Sequence, residues 1–185
     1  MKGFSTNNSG VGVTFDGVPA PLLYVSAGQV NVQVPYEVAG KTTTDVVVSY
    51  FGAVGKTTTL SVAPTSPAIY TIIVNQDGTF NSASNPAPRG SYPTIYILGL
   101  GLVSPPVGTG TPASLTAISS AVAAVTVTMG GLDSSVYFSG LTPGSVGLGQ
   151  VDAQVPPSAP TGVPLAVVVK AGGVATQPNI HLYAK

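Results

Sequence analysis

No cysteine occurs anywhere in the chain. A disulfide framework, a thiolate nucleophile and a cysteine-based metal site are therefore excluded, although this absence alone assigns no compartment. Tryptophan is absent too, and His181 is the only histidine. Charge is scarce: Asp, Glu, Lys and Arg make up 6% of the residues, against about 25% in an ordinary globular domain. Six basic and six acidic side chains cancel. A nucleic-acid partner would require a basic stripe to displace counterions, and an anionic membrane surface a polybasic patch; the sequence holds neither. No apolar run approaches the roughly 18 residues needed to span a bilayer. The opening "MKGFSTNNSG" has no apolar stretch of the kind a signal peptide carries, so an exported form of this sequence is expected to be a mature chain or a fragment.

Hydrophobic residues reach 44% of the 185, enough to build a packed core rather than a disordered chain. With so little charge, the surface must be covered by Ser, Thr, Asn, Gln and Gly. Such a surface has little electrostatic repulsion to keep copies apart. It suits a secreted, tethered or assembled protein.

Gly (23) and Pro (17) punctuate short runs rich in Val, Ile, Thr and Tyr, the pattern of strands joined by turns. Strands are predicted at 11–16, 21–25, 29–34, 43–50, 57–63, 68–74, 92–98, 122–129, 135–139, 149–155, 163–170 and 178–184. Turn signals separate them: "DG" at 16–17 and 77–78, "GG" at 130–131 and 172–173, "TPG" at 142–144. No segment holds a 3.6-residue period. The closest, "PASLTAISSAVAAV" (112–125), reads as a loop entering a strand.

One octet is written twice. "GQVNVQVP" runs from Gly28 to Pro35 and "GQVDAQVP" from Gly149 to Pro156. Each alternates apolar and polar residues, the period of a strand with one buried face. Val30, Val32 and Val34 are predicted inward, with Gln29, Asn31 and Gln33 outward. In the second copy Val151, Ala153 and Val155 oppose Gln150, Asp152 and Gln154. Pro35 and Pro156 stop each strand, since proline cannot donate to a ladder. The likeness extends on both sides. "VTFDGVPAPLLYVS" (13–26) aligns with "VTMGGLDSSVYFSG" (127–140), and "DVVVSYFGAVGKTTTLSV" (45–62) with "LAVVVKAGGVATQPNIHL" (165–182). Two related modules in series follow, rather than a solenoid, which needs about three repeats or more. Short antiparallel strands with one apolar face must pack sheet on sheet, and an immunoglobulin-like sandwich is the economical solution.

The modules are unequal. The second is preceded by 66–107, which includes the strand-like "YPTIYILGLG". Before Val11 the first has only a polar decapeptide. It is expected to lack its leading strand and to expose an unpaired edge. Either a segment upstream or another chain would supply that strand; residues 1–10 and "SPAIYTIIV" (66–74) are the candidate donated pieces.

The stretches "DGVPAPLLYVSAGQVNVQVP" (16–35), "NQDGTFNSASNPA" (75–87), "GLGLVSPPV" (99–107) and "LTPGSVGLGQVDAQVP" (141–156) resemble the Solibacter-type C-terminal domain of exported bacterial proteins, related to IPT/TIG-type immunoglobulin folds. The resemblance covers nearly the whole chain. It implies an extracytoplasmic pair of β-sandwiches with no known catalytic residues.

Other motifs have plain structural readings. "YFGAVGKTTT" (50–59) contains G-x-x-G-K-T, but a phosphate-binding loop needs glycine where Tyr50 stands and a helix after Lys56; a hairpin turn fits better. "NQDGTF" (75–80) lacks the ligand pattern of a calcium loop and reads as an Asp77–Gly78 turn supported by Asn75, Asn81 and Asn85. His181 falls out of phase with Ile180 and Leu182, so it is expected to face outward, with no Gly-x-Ser-x-Gly elbow to complete a triad. The eight tyrosines are expected to fill cores or line sheet surfaces.

The expectation is an all-β protein of two tandem immunoglobulin-like modules, 1–65 and 66–185. No catalytic, cofactor, metal or binding residue is assigned. The expected role is that of a non-enzymatic extracellular structural protein: an assembling fibre or surface-layer subunit, or a structural C-terminal module, with strand complementation between chains. The alternative is a glycan- or cell-surface-binding adhesion module. The expected partners are further copies of the chain or a surface polysaccharide, with no nucleic acid and no membrane span.

Overall fold

Nineteen short strands and one 3-10 turn form the regular structure of residues 4–185, which the computed structural model describes. The chain divides into two compact units. The first comprises Met1–Pro64 with two later segments, Pro105–Ile118 and Pro143–Gly147; the second comprises Thr65–Ser104, Ser119–Thr142 and Leu148–Lys185.

In the first unit, β1 (Asn7–Asn8), β2 (Val11–Phe15), β3 (Val18–Pro19), β4 (Leu22–Val25) and β5 (Val30–Val32) are followed by the 3-10 turn Tyr36–Val38. Then come β6 (Thr43–Tyr50), β7 (Ala53–Val54) and β8 (Thr58–Ser61). One sheet runs β1-β2-β6-β7, with β3 pairing β2 and β8 pairing β6; β4 and β5 pair only with each other. Val13, Phe15, Ala20, Leu22 and Val38 form a small core.

In the second unit the strands are β9 (Ala68–Val74), β10 (Thr94–Leu98), β11 (Val103–Ser104), β12 (Ser120–Ala121), β13 (Val125–Met129), β14 (Leu132–Ser134), β15 (Val136–Leu141), β16 (Gly149–Ala153), β17 (Pro164–Ala171), β18 (Val174–Ala175) and β19 (His181–Tyr183). A six-stranded sheet, β11-β12-β15-β16-β10-β9, and a five-stranded sheet, β14-β13-β17-β18 with β19 on β17, share one apolar core. Ile95, Ile97, Val151, Ala153 and Val155 meet Val127, Met129, Leu165, Val167, Val169 and Leu182 there, all at most 2% exposed.

The repeat is matched pair by pair. Phe15 pairs Val18 across Asp16–Gly17, and Met129 pairs Leu132 across Gly130–Gly131. Both turns hold two successive positive φ angles, 49° and 82° in the first, 61° and 80° in the second, the geometry a two-residue hairpin requires. Likewise Val13 faces Val48 as Val127 faces Val169, and Thr44 faces Leu60 as Leu165 faces Leu182. Every predicted strand is found. The additional ones are pairings of two or three residues, too short to leave a periodic signal. Segment 112–119 is irregular and leads to β12 and β13, as its composition suggests.

Candidate functional site: the edge of the first octet strand

The twin octets are most informative where they differ. β16 is flanked on both sides. It pairs β15 through Val151 and Ser139, and β10 through Val151 and Ile95. Beyond the ladder, Ala153 N–H donates to Pro93 O (3.4 Å), Val155 N–H to Ser91 O (2.8 Å), and Gly90 N–H to Val155 O (2.8 Å). β5 has β4 alone, with Leu22 opposite Val32 and Val25 opposite Val30. Among the described residues no strand stands where β10 stands in the second unit. An unsatisfied strand edge is an obligatory set of donors and acceptors awaiting water or another strand.

The side chains follow the backbone. Val155 is fully buried, whereas its counterpart Val34 is 51% exposed. Val151 and Ala153 are fully buried, but Val30 and Val32 only half so. One expectation fails here. Gln33, predicted outward, is 8% exposed, and Val34, predicted inward, is the exposed one. The cause lies in the two later segments of the first unit. Gly110 N–H donates to Gln33 Oε1 (2.8 Å), and Gly147 closely approaches the Gln33 side chain, where an added Cβ would lie 3.1 Å from Cγ. Thr109 Oγ1 accepts from Tyr36 N–H (3.0 Å) and donates to Glu37 Oε2 (2.7 Å). The end of the octet and the turn after it are thus held by polar contacts, whereas the edge of β5 away from β4 has no partner strand among the described residues. In the second copy the predicted alternation holds, with Gln150, Asp152 and Gln154 half-exposed.

Both candidate donor segments, as far as they are described, are engaged within their own units; residues 1–3 of the first lie outside the described residues. Asn7 and Asn8 pair Gly12 and Val11, and Leu22 N–H donates to Ser5 O (2.9 Å). Asn7 and Asn8 are therefore part of the first sheet and Ser5 is bonded to β4, so this segment is not a free strand. β9 pairs β10, and its other edge is capped. Ile69 N–H donates to Gln177 Oε1 (2.9 Å), Gln177 Nε2 returns a bond to Ile69 O, and Asn81 N–H donates to Ile73 O (2.9 Å).

The remaining motifs lie where local chemistry puts them. Lys56 follows the β6–β7 hairpin, and strand β8, not a helix, comes after it. Asp77 accepts from Thr79 N–H (3.0 Å) and Oγ1 (2.6 Å), which holds its carboxyl below the usual range. Asn81 Nδ2 donates to Asn75 Oδ1 (2.9 Å), and Asn75 Nδ2 to Asn85 O (3.1 Å), so the asparagines serve the loop backbone. His181 faces outward between buried Ile180 and Leu182. No group of three or more His, Asp or Glu side chains is gathered as a metal site among the described residues. The tyrosines do not fill cores: Tyr24, Tyr50, Tyr70 and Tyr137 are exposed, and Tyr36, Tyr92, Tyr96 and Tyr183 half-buried.

Facing antiparallel sheets over a core of alternating apolar residues, with hairpins matched between the units, define an immunoglobulin-like β-sandwich architecture. The IPT/TIG domain family matches residues 2–92, just under half of the chain. Domains of this immunoglobulin-like family are typically non-catalytic and commonly occur in extracellular or surface proteins. No curated protein and no solved structure matches the chain. No helix of the described residues is long and apolar enough to cross a membrane.

Proposed function

We propose that this chain is a non-enzymatic extracellular structural protein, a subunit of a fibre or surface layer. In this reading the first of its two modules, 1–65, is completed by a strand from another copy, and 66–185 is the complete module. The carrying observation is the contrast between β5 and β16: nearly the same octet, with the edge of β16 filled by β10 and the corresponding edge of β5 without a partner strand among the described residues. An incoming strand would add main-chain hydrogen bonds along β5 and cover Val30, Val32 and Val34 with alternate side chains. The second module supplies a template for its chemistry. The chain entering β10 reads Pro93-Thr94-Ile95-Tyr96, and the chain entering β9 reads similarly, Pro67-Ala68-Ile69-Tyr70; the third such segment, Pro21-Leu22-Leu23-Tyr24, leads into β4, which is already paired to β5. We therefore assign β9 of a neighbouring copy as the donor. Its release requires breaking the β9–β10 ladder and the Gln177 and Asn81 caps and withdrawing Ile69 and Ile73 from the core of the second unit, so assembly is slow and dependent on concentration. The near absence of charge supports close packing of copies, and the resemblance to Solibacter-type C-terminal domains supports a place outside the cell.

Size-exclusion with light scattering and negative-stain microscopy of the intact chain test this reading. Growth into oligomers or filaments, lost in Val34→Asp, is expected. Val34 is half exposed, so the substituted chain should keep its melting temperature. A chain that stays monomeric at every concentration would remove the assembly reading.

A further inference from the structure

The outer face of the six-stranded sheet in the second unit carries a shallow, open groove of about 660 Å³. Tyr92, Tyr96 and Tyr137 line it with Thr94, Asp152 and Gln76. A hollow of about 370 Å³ adjoins it and shares Asn75 and Gln76. Sheet geometry gathers these residues. Thr94 and Tyr96 point outward from β10, opposite Asp152 and Gln150 of β16. Tyr137 sits at the irregularity in β15, where the register shifts between Val136 and Phe138. That shift leaves Tyr137 80% exposed, against Tyr92 at 5.7 Å between ring centroids and 61° between planes.

We infer that this groove binds a neutral glycan chain. An exposed Tyr137 ring backed edge-on by Tyr92 offers a flat apolar face for the C–H side of one sugar ring. Hydroxyl partners stand beside it. Asp152 accepts from Thr94 Oγ1 at Oδ1 (2.7 Å) and from Gln150 Nε2 at Oδ2 (3.0 Å). These bonds fix the carboxylate, and each oxygen keeps a lone pair for a sugar hydroxyl. Gln76 is fixed through Oε1, which accepts from Tyr92 N–H (2.9 Å), and its amide nitrogen can donate. Among the described residues no Lys or Arg lines the groove, and Asp152 repels anions, so uronate or sulfate groups are disfavoured. An open groove continuing into a second hollow suits a polymer that passes through it. This inference uses none of the groups at the β5 edge.

Affinity electrophoresis of the intact chain against neutral xylan, β-glucan and mannan, with alginate as the anionic comparison, tests it. Retardation by at least one neutral polymer and none by alginate is expected. Tyr137→Ala should weaken the retardation about tenfold and Asp152→Asn should weaken it measurably, with melting temperatures unchanged. Tyr50→Ala, at an exposed tyrosine of the first unit, should bind as the parent chain does. Absence of retardation by every neutral polymer, equal retardation by alginate, or full binding by Tyr137→Ala would overturn the inference. Because Val34→Asp should retain full glycan binding, loss of assembly and loss of glycan binding are separable.

Discussion

Asp16 occupies the first corner of the β2–β3 turn with a φ of 49°, a left-handed conformation that Asp tolerates better than most residues. Its carboxylate accepts from Asp45 N–H (2.7 Å) and from Lys41 Nζ (2.8 Å), joining the turn to β6. Those bonds, the backbone one first, hold the carboxyl at about 2 instead of 3.8. A depressed folded-state value means that the stabilisation is complete above the unfolded value and disappears as pH falls through about 2. The melting temperature of Asp16→Asn should lie below that of the parent at pH 6, and the gap should close between about pH 4 and 2. A gap independent of pH would show that the carboxylate charge plays no part. At this scale the sequence was partly readable. The Asp–Gly signal announces the turn, but nothing in "GQVNVQVP" shows that Gln33 is buried. That burial depends on Gly110 and Gly147, far along the chain, and only tertiary structure brings them there.

Among the elements, the two octet strands allow one substitution to be compared in two environments. Val155→Ala removes two methyl groups from a site with no exposure and should cost about 2 kcal/mol. Val34→Ala, at a half-exposed site, should cost less than about 1 kcal/mol in the monomer. Urea denaturation of the two variants measures the difference; equal losses would show that the β5 flank is closed. Gly140 is a second element-level test. It lies in β15 where an added Cβ would overlap the carbonyl oxygen of Ser119, so Gly140→Ala should push β12 off β15 and cost more than about 2 kcal/mol. The long strands were legible because period-2 alternation and Gly turns mark them. β11, β12 and β18 were not, since two residues carry no period. The Tyr92–Tyr137 pairing was equally hidden, because a register shift in β15 creates it.

For the whole molecule, the doubled octet and its flanks announced two related sandwiches, and the pair-by-pair agreement of β2–β6 with β13–β17 follows from that doubling. Less visible was that segments 105–118 and 143–147 belong with the first compact unit. Their sequences are Pro-, Gly- and Ser-rich, like any loop, and carry no sign of destination. Those segments hold Gln33 and the turn after it, whereas β5 has β4 on one edge and no strand on the other among the described residues, and the proposal for assembly rests on that asymmetry. Amide hydrogen exchange at Val32 and Val34 as a function of protein concentration tests it most directly. If a neighbour's strand fills the edge, both amides become protected as concentration rises, and the protection is absent in Val34→Asp. Exchange that stays fast at every concentration, in a chain that remains monomeric, would contradict it.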